Sequence, residues 1–127
     1  MNVVNTVPPR PFIKWVGGKT QLLRELARRI PNDVNRYYEP FLGGGALFFY
    51  LQPKAAVLTD INADLITLYT VIRDDVEALI DDMGQHVYEK DYYYRLRSAD
   101  RTVDYQTWTA VQRASRLIYL NKTCYNG

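Results

Sequence analysis

Residues 39–45 read Glu39-Pro40-Phe41-Leu42-Gly43-Gly44-Gly45 and follow a segment, Arg36 to Phe41, that we predict to be a short strand. The glycines allow positive φ angles, and they leave no side chains that would keep a ligand away from the backbone. Ala46 to Leu51 is predicted to begin a helix that Pro53 ends, and residues 55–59 form an apolar run typical of a buried parallel strand. A strand, a glycine loop, a helix and a second strand make a βαβ unit. This pattern predicts the nucleotide-binding half of a doubly wound α/β sheet.

An acidic residue, Asp60, ends the second predicted strand, 15 residues beyond Gly45. A carboxylate there can accept hydrogen bonds from both ribose hydroxyls of an adenosine cofactor. The dinucleotide fingerprint Gly-x-Gly-x-x-Gly is incomplete, because Phe48 occupies its third glycine position. Glu39 would repel a pyrophosphate, but its charge could pair with the cationic amino-acid tail of S-adenosylmethionine. An ordinary tight turn is the alternative, but Glu39 and Asp60 together favour a site for S-adenosylmethionine.

The segment at residues 14–20, Lys-Trp-Val-Gly-Gly-Lys-Thr, suggests a phosphate-binding P-loop. A P-loop needs a glycine five positions before Gly18, and Ile13 stands there, so the phosphate cradle would be incomplete. Trp15 could instead cover an adenine or carboxylate pocket, and Lys19 could meet a cofactor carboxylate. A core tryptophan and a surface lysine explain these two residues equally well.

Helices are predicted for most of the remaining chain. One begins at a Thr20 cap and runs to about Arg29, a second is capped by Asn62, and a third spans residues 105–120. The positions that define their inward faces are Leu22, Leu23, Leu26 and Ile30; Leu65, Leu68, Ile72, Val76, Leu79 and Met83; and Trp108, Val111, Ser115 and Ile118. Because this helical stretch interrupts the βαβ pattern, we predict two domains, at residues 1–61 and 62–127.

Composition excludes several classes of protein. Apolar residues make up 47% of the 127, which suffices for a buried core. No apolar run approaches the roughly 18 residues of a membrane span, and the polar N-terminus does not resemble a signal peptide, so we expect a cytoplasmic protein. With one cysteine, Cys124, and one histidine, His86, we expect neither disulfides nor a metal site.

Charge is distributed unevenly along the chain. Residues 1–61 carry eight basic and four acidic residues, residues 62–89 carry one and seven, and residues 90–127 carry seven and three. The last segment also holds seven tyrosines and tryptophans, and such a mixture suits nucleic acid, because cations meet phosphates and rings stack on bases. A solvated basic face over an aromatic core is the alternative, and composition alone favours it.

Four segments, in this order, resemble the motifs of the Dam-type, D12-class adenine-specific DNA methyltransferases. They are the first cofactor motif at 14–19, the glycine motif at 39–45, the ribose-binding stretch at 59–66 and the Asn-x-x-x-Tyr-Asn-Gly signature within 120–127. The resemblance spans residues 12–127. It implies an α/β, Rossmann-like methyltransferase fold, here truncated, with an inserted, mainly helical DNA-recognition subdomain. Residues 1–61 would belong to the cofactor-binding domain, and residues 62–127 to the recognition subdomain.

The resemblance also implies roles for individual residues. Lys14 would reach towards a DNA base near the target, and Lys122 would face a phosphate. Tyr125 and Asn126 would act where the target adenine leaves the stack, because its N6 atom cannot be reached within the duplex. The residues expected to bind S-adenosylmethionine are Trp15, Lys19, Glu39, Phe41, Gly43, Gly45 and Asp60.

The family's Asp-Pro-Pro-Tyr motif, which holds the adenine amine towards the methyl group, has no counterpart in this sequence. The one Pro-Pro pair, Pro8-Pro9, is preceded by Val7 and followed by Arg10. We therefore expect a truncated enzyme with no catalytic residue in this chain, which alone does not methylate DNA and binds the cofactor weakly or not at all. Double-stranded DNA is the expected partner, membranes are not, and a monomer is favoured over assembly with a separately encoded C-terminal half.

Two other functions stay open on the sequence. One is a P-loop-like nucleotide-binding protein, and the other is a non-enzymatic DNA-binding module formed by residues 62–127. A third alternative is an unstable remnant without activity.

Overall fold

The computed structural model describes residues 7–124, whose contacts divide the chain into two compact units. The first unit ends at Thr59 and the second begins at Asp60, two residues before the domain boundary that the sequence predicts. Helices and a small parallel sheet make this an α/β protein. No helix in the described part of the chain is both long and apolar enough to cross a membrane.

The first unit contains a parallel pair of strands connected through a helix. Its elements are a 3-10 turn at Thr20–Leu22, helix α1 at Leu23–Arg29, strand β1 at Tyr37–Glu39, helix α2 at Ala46–Leu51 and strand β2 at Ala56–Leu58. Tyr37 lies opposite Ala56 and Glu39 opposite Leu58. The predicted strand, glycine loop, helix and parallel strand are confirmed. The Thr20 cap is wrong, because Thr20 starts the 3-10 turn and makes no side-chain capping hydrogen bond to α1.

The sequence predicts that β2 is buried, and this is wrong. Ala56 and Val57 are exposed, and Leu58 is half-buried. In the part of the sheet that residues 7–59 form, β2 has β1 as its one neighbour and is therefore an edge strand. The buried apolar side chains of this unit lie elsewhere, at Ile13, Tyr37, Leu42, Ala46 and Leu47.

The second unit is helical, with α3 at Ala63–Asp74, α4 at Val76–Met83, α5 at Lys90–Arg97 and α6 at Ala110–Thr123. Two further 3-10 turns, Ala99–Arg101 and Val103–Thr107, connect α5 to α6. α6 packs against α3, α4 and α5, and Leu65 and Leu68 of α3 are fully buried in this core.

The cap of α3 was predicted correctly, but its end was not. The side-chain oxygen of Asn62 accepts a hydrogen bond from the Leu65 N–H at 3.1 Å, which confirms the cap. The single helix predicted to reach Met83 is broken at Asp75, whose φ of −150° is not helical. Aspartate has a low helix propensity, although the Asp75 side chain makes no capping hydrogen bond to α4. Val76 is consequently exposed instead of facing the core.

The helix predicted to start at residue 105 starts five residues later. The Thr109 hydroxyl accepts from the Gln112 N–H at 3.1 Å, and the Gln112 side chain accepts from the Thr109 N–H at 2.8 Å. This reciprocal capping box satisfies two backbone donors that would otherwise have no partner at the start of α6. A Thr-x-x-Gln spacing is visible in the sequence, so the true start could have been predicted.

The buried guanidinium of Arg116 on α6 holds the end of α5. Its Nε donates to the Leu96 carbonyl and one Nη donates to the Arg97 carbonyl, both at 2.8 Å. The same Nη lies 3.2 Å from a carboxylate oxygen of Asp100, and the group sits 5.3 Å from the ring centre of Tyr105. Arg116 thus satisfies carbonyls that a helix C-terminus leaves without intrahelical partners.

Candidate functional site

The carboxylate of Glu39 is the centre of a polar network in the first unit. Glu39 is the last residue of β1 and is only 7% exposed. One carboxylate oxygen accepts a hydrogen bond from the Tyr37 hydroxyl, and the other accepts from the Phe41 N–H at 3.2 Å. The ammonium of Lys19 lies 3.5 Å from this second oxygen. A buried carboxylate needs such donors and a countercharge, because desolvation disfavours its ionised form.

Lys19 joins the segment before α1 to the loop after β1. Its ammonium donates to the Phe41 carbonyl in addition to pairing with Glu39. A lysine ammonium has three donors, and within residues 7–124 it contacts the Phe41 carbonyl and the Glu39 carboxylate. The structure therefore places one positive and one negative group side by side at the start of the glycine loop.

The glycine loop packs against Trp15. Gly43 has a φ of +53°, and a Cβ built on it would lie 3.3 Å from Cδ1 of the Trp15 ring. A Cβ on Gly44 would meet the same side chain at 3.6 Å and the Ile13 carbonyl at 3.4 Å. Gly45, at a φ of +76°, precedes α2, and its N–H donates to the Leu42 carbonyl at 2.9 Å. The glycines therefore allow both the left-handed turn and the close approach of the tryptophan ring.

An open groove of about 540 Å³ lies beside this loop. Its walls include Ile13, Lys14, Trp15, Gly18, Thr20 and Gly44. The groove combines an aromatic ring with backbone that carries no side chains. Phe41, which the sequence also assigns to the cofactor site, is 74% exposed and is not part of this groove.

Of the predicted cofactor residues, the structure brings together those of the first unit. Trp15 contacts the Gly43–Gly45 loop, and Lys19 contacts Glu39 and Phe41. Asp60 belongs to the second unit, where its carboxylate accepts from the Asn62 N–H at 3.0 Å.

Asp60 also influences Tyr69 on α3. Burial and, secondarily, the negative charge of Asp60 raise the pKa of the Tyr69 hydroxyl to about 12. The effect indicates that the two side chains are near each other. The assignment of Asp60 to a ribose stays a prediction.

The predicted DNA-binding residues are exposed where the structure describes them. Lys14 lies at the groove, and Lys122 lies in the last turn of α6. Tyr125 and Asn126 are outside the described residues.

The environment of Lys19 argues against a P-loop. A P-loop lysine points at phosphates, whereas the ammonium of Lys19 contacts a carbonyl and a buried carboxylate. A P-loop also follows a strand, and residues 7–14 form none.

Sequence reasoning missed Tyr37 as a member of the site. Burial, followed by the hydrogen bond to Glu39 and its charge, raises the pKa of the Tyr37 hydroxyl well above its ordinary value. The hydroxyl therefore remains a donor at neutral pH. Residues two apart on a strand share a face, so the spacing of Tyr37 and Glu39 carried this signal.

A second polar network that the sequence did not reveal surrounds His86. The buried Ser115 hydroxyl donates to the Met83 sulfur at 3.3 Å and therefore accepts from Nε2 of His86 at 2.7 Å. Nδ1 then accepts from the Tyr92 hydroxyl at 2.6 Å. Desolvation lowers the pKa of His86, so the neutral ring is favoured, although the charge of Asp82 acts in the opposite direction. Ser115 is fully buried, so its end of the network supports the packing of the helices, whereas His86 and Tyr92 are half-buried and line an open cavity of about 210 Å³.

Comparison with known proteins agrees with the motifs. The family model described as D12 class N6 adenine-specific DNA methyltransferase matches residues 15–127. The Type II methyltransferase M1.LlaDCHI of Lactococcus lactis subsp. cremoris is 43% identical over 125 residues, which cover 97% of this chain and 44% of the relative.

Two other relatives are covered to a similar extent, with nearly all of this chain matching less than half of the relative. The Type II methyltransferase M.MjaIII of Methanocaldococcus jannaschii is 38% identical over 93% of this chain and 47% of its own length. A DNA adenine methylase of Haemophilus influenzae is 36% identical over 93% of this chain and 42% of its own length. The chain thus spans less than half the length of these curated relatives. Because the family model matches nearly all of these 127 residues, the resemblance inferred from the motifs is confirmed, and the chain belongs to the D12 class of N6 adenine-specific DNA methyltransferases.

Proposed function

We propose that this chain forms the cofactor-binding portion and part of the DNA-recognition portion of an enzyme that transfers a methyl group from S-adenosylmethionine to N6 of an adenine in double-stranded DNA. The observation that carries the proposal is the pairing of Lys19 with the buried Glu39 at the start of the glycine loop. The amino-acid end of S-adenosylmethionine carries an ammonium and a carboxylate. A site with one anion and one cation, 3.5 Å apart, matches both charges.

The groove beside the loop suits the rest of the cofactor. Trp15 offers an aromatic surface for an adenine or for the sulfonium, which a ring face attracts. Gly43 and Gly45 admit the cofactor close to the backbone, Phe41 adds an exposed ring, and Asp60 would accept from the ribose hydroxyls. When bound, the cofactor supplies an electrophilic methyl group on sulfur.

The proposed function also implies a fold and a role for each of the two domains. We propose that β1, α2 and β2 are part of a Rossmann-like methyltransferase sheet, to which residues 1–61 contribute the cofactor site. Residues 62–127 would form the DNA-recognition subdomain. The parallel β1–β2 pair and the predominance of helices after residue 62 support this division.

DNA contacts are assigned to four residues. Lys14 and Lys122 would meet the duplex as cations, which makes affinity fall with salt concentration. Tyr125 would stack at the gap left by the extruded adenine, and Asn126 would hydrogen-bond the exposed thymine.

The proposal assigns binding, and no catalytic residue, to this chain. The 127 residues hold no Asp-Pro-Pro-Tyr to orient the adenine amine. Transfer of one methyl group to one base needs a single donor site and a single base pocket, so we further propose that the enzyme acts as a monomer. We also propose that it acts on DNA in the cytoplasm.

A methyl-transfer assay tests the proposal. The protein, expressed from its complete reading frame, is incubated with methyl-labelled S-adenosylmethionine and duplex DNA, and labelled N6-methyladenine is expected. In Glu39→Gln, loss of the charge should weaken cofactor binding roughly 10- to 100-fold, because hydrogen bonds to charged groups contribute about 1.5–3 kcal/mol. Glu25→Gln, which alters an exposed ion pair on α1, is the matched control. A folded protein that binds ATP, and neither binds nor uses S-adenosylmethionine, would refute the proposal.

A further inference from the structure

We infer that the Tyr37 hydroxyl is a positioning group for the donor site: it fixes the Glu39 carboxylate, and through it Lys19, in the orientation that receives the amino-acid end of the methyl donor. The inference rests on the proposed function and adds to it a residue that the family motifs do not include. It starts from the burial of both partners, since Tyr37 is 9% and Glu39 7% exposed.

The register of β1 brings the two side chains together. Tyr37 and Glu39 lie two residues apart, so both project from the same face of the strand, whereas Tyr38 projects from the other face and is 61% exposed. The Tyr37 hydroxyl donates to one oxygen of Glu39. The Phe41 N–H donates to the other oxygen, and the Lys19 ammonium forms an ion pair with it. Each carboxylate oxygen therefore has its own partner, and the rotation of the carboxylate is fixed from both sides.

The hydroxyl acts on the side chain of Glu39, because the backbone of Glu39 is held independently. The Thr59 N–H donates to the Glu39 carbonyl at 2.8 Å, which is part of the strand pairing. Replacing Tyr37 by phenylalanine would leave this bond and the ring packing in place. It would leave one oxygen of a buried carboxylate without its donor, so the carboxylate could turn away from Lys19.

Lys19 transmits the effect to the ligand. Its ammonium is held between the Phe41 carbonyl and the Glu39 carboxylate, and a lysine chain is flexible unless such contacts fix it. If the Glu39 carboxylate were no longer held in one orientation, the Lys19 ammonium would also lose its fixed position. Both charged groups that face the zwitterionic end of the donor would then be displaced. The adenosine portion of the donor, which lies outside these contacts, would be bound as before.

Calorimetric titration of the protein, expressed from its complete reading frame, tests the inference with two ligands. S-adenosylmethionine carries the amino-acid end, and 5′-methylthioadenosine lacks it. Tyr37→Phe is expected to weaken binding of S-adenosylmethionine roughly fivefold or more, the equivalent of about one hydrogen bond, and to leave binding of 5′-methylthioadenosine unchanged. Tyr38→Phe removes a hydroxyl from the exposed face of the same strand and is expected to change neither affinity.

The outcomes separate this inference from the proposed function. Equal affinities of Tyr37→Phe and Tyr38→Phe for S-adenosylmethionine would overturn the inference alone, as would equal weakening of both ligands by Tyr37→Phe. Absence of S-adenosylmethionine binding by the unchanged protein would overturn the proposed function and the inference together. Incorporation of 3-fluorotyrosine at position 37 keeps the hydroxyl and is expected to leave the affinity within about twofold; a loss as large as that of Tyr37→Phe would count against the inference.

Discussion

Replacement of Arg116 by methionine should unfold the second unit at much lower denaturant concentration than in the unchanged protein. The guanidinium is buried and donates at 2.8 Å to the Leu96 and Arg97 carbonyls in the last turn of α5, where a helix lacks a full set of intrahelical donors. Methionine has nearly the same length but no donor. The variant therefore removes both hydrogen bonds that the guanidinium donates to the Leu96 and Arg97 carbonyls.

The magnitude follows from these contacts. A hydrogen bond to a charged group contributes about 1.5–3 kcal/mol, so loss of the two part-buried carbonyl bonds, together with the cation–π contact to Tyr105, is expected to cost about 3 kcal/mol or more. The contact with Asp100 adds little, because that carboxylate is about half exposed and screened by water. For a unit of this size, each 1 kcal/mol lowers Tm by roughly 4–8 °C.

Tryptophan fluorescence can follow the second unit alone. The chain has two tryptophans, so in a Trp15→Phe background Trp108 is the remaining reporter. Urea unfolding of Arg116→Met is compared with that of Arg101→Met, which removes the same charge from an exposed position. A difference of less than about 1 kcal/mol between the two variants would refute the reasoning, since it would mean that the two part-buried carbonyl bonds contribute no more than a surface charge.

The remaining predictions concern pH and the glycine loop. Because burial lowers the pKa of folded His86 below its ordinary value of 6.5, the unfolded chain binds more protons as the pH falls below 6.5, and the second unit should lose stability there. Urea midpoints of Trp108 fluorescence at pH 7.5 and 5.5 measure this loss, and a His86→Gln variant with the same pH dependence would contradict it. Gly43→Ala should destabilise the first unit by about 1–2 kcal/mol, because alanine is strained at a φ of +53° and its methyl group meets the Trp15 ring. Unchanged urea unfolding, followed by Trp15 fluorescence in a Trp108→Phe background, would disprove this cost.

Local signals predicted the elements that depend on few residues. The glycine triplet located the turn between β1 and α2, because a left-handed backbone excludes most other residues. Asn62 located the start of α3, because its side chain can reach the N–H three residues later. These features need no knowledge of the rest of the fold.

The predictions from sequence were wrong or incomplete where the local structure depends on a competing interaction or on residues far away in the chain. Helical spacing continues past Asp75, but the backbone there leaves the helix, so periodicity alone overestimated the length of α3. The apolar residues of β2 were expected to be buried, and their exposure depends on which strands lie beside them. The hydrogen bond between Tyr37 and Glu39 depends on the rotamers of both side chains in a packed interior. Their spacing of two residues allows this contact but does not determine the rotamers.

Each compact unit is formed by one uninterrupted segment of the chain, with the division between Thr59 and Asp60. During synthesis, the amino-terminal unit is therefore complete before translation of the helical unit begins. Domains generally fold as units in the order of synthesis, and segments rich in helices with nearby partners fold fastest. The glycine loop and its strands are consequently synthesised before α3 to α6, so their local turns can begin to form first.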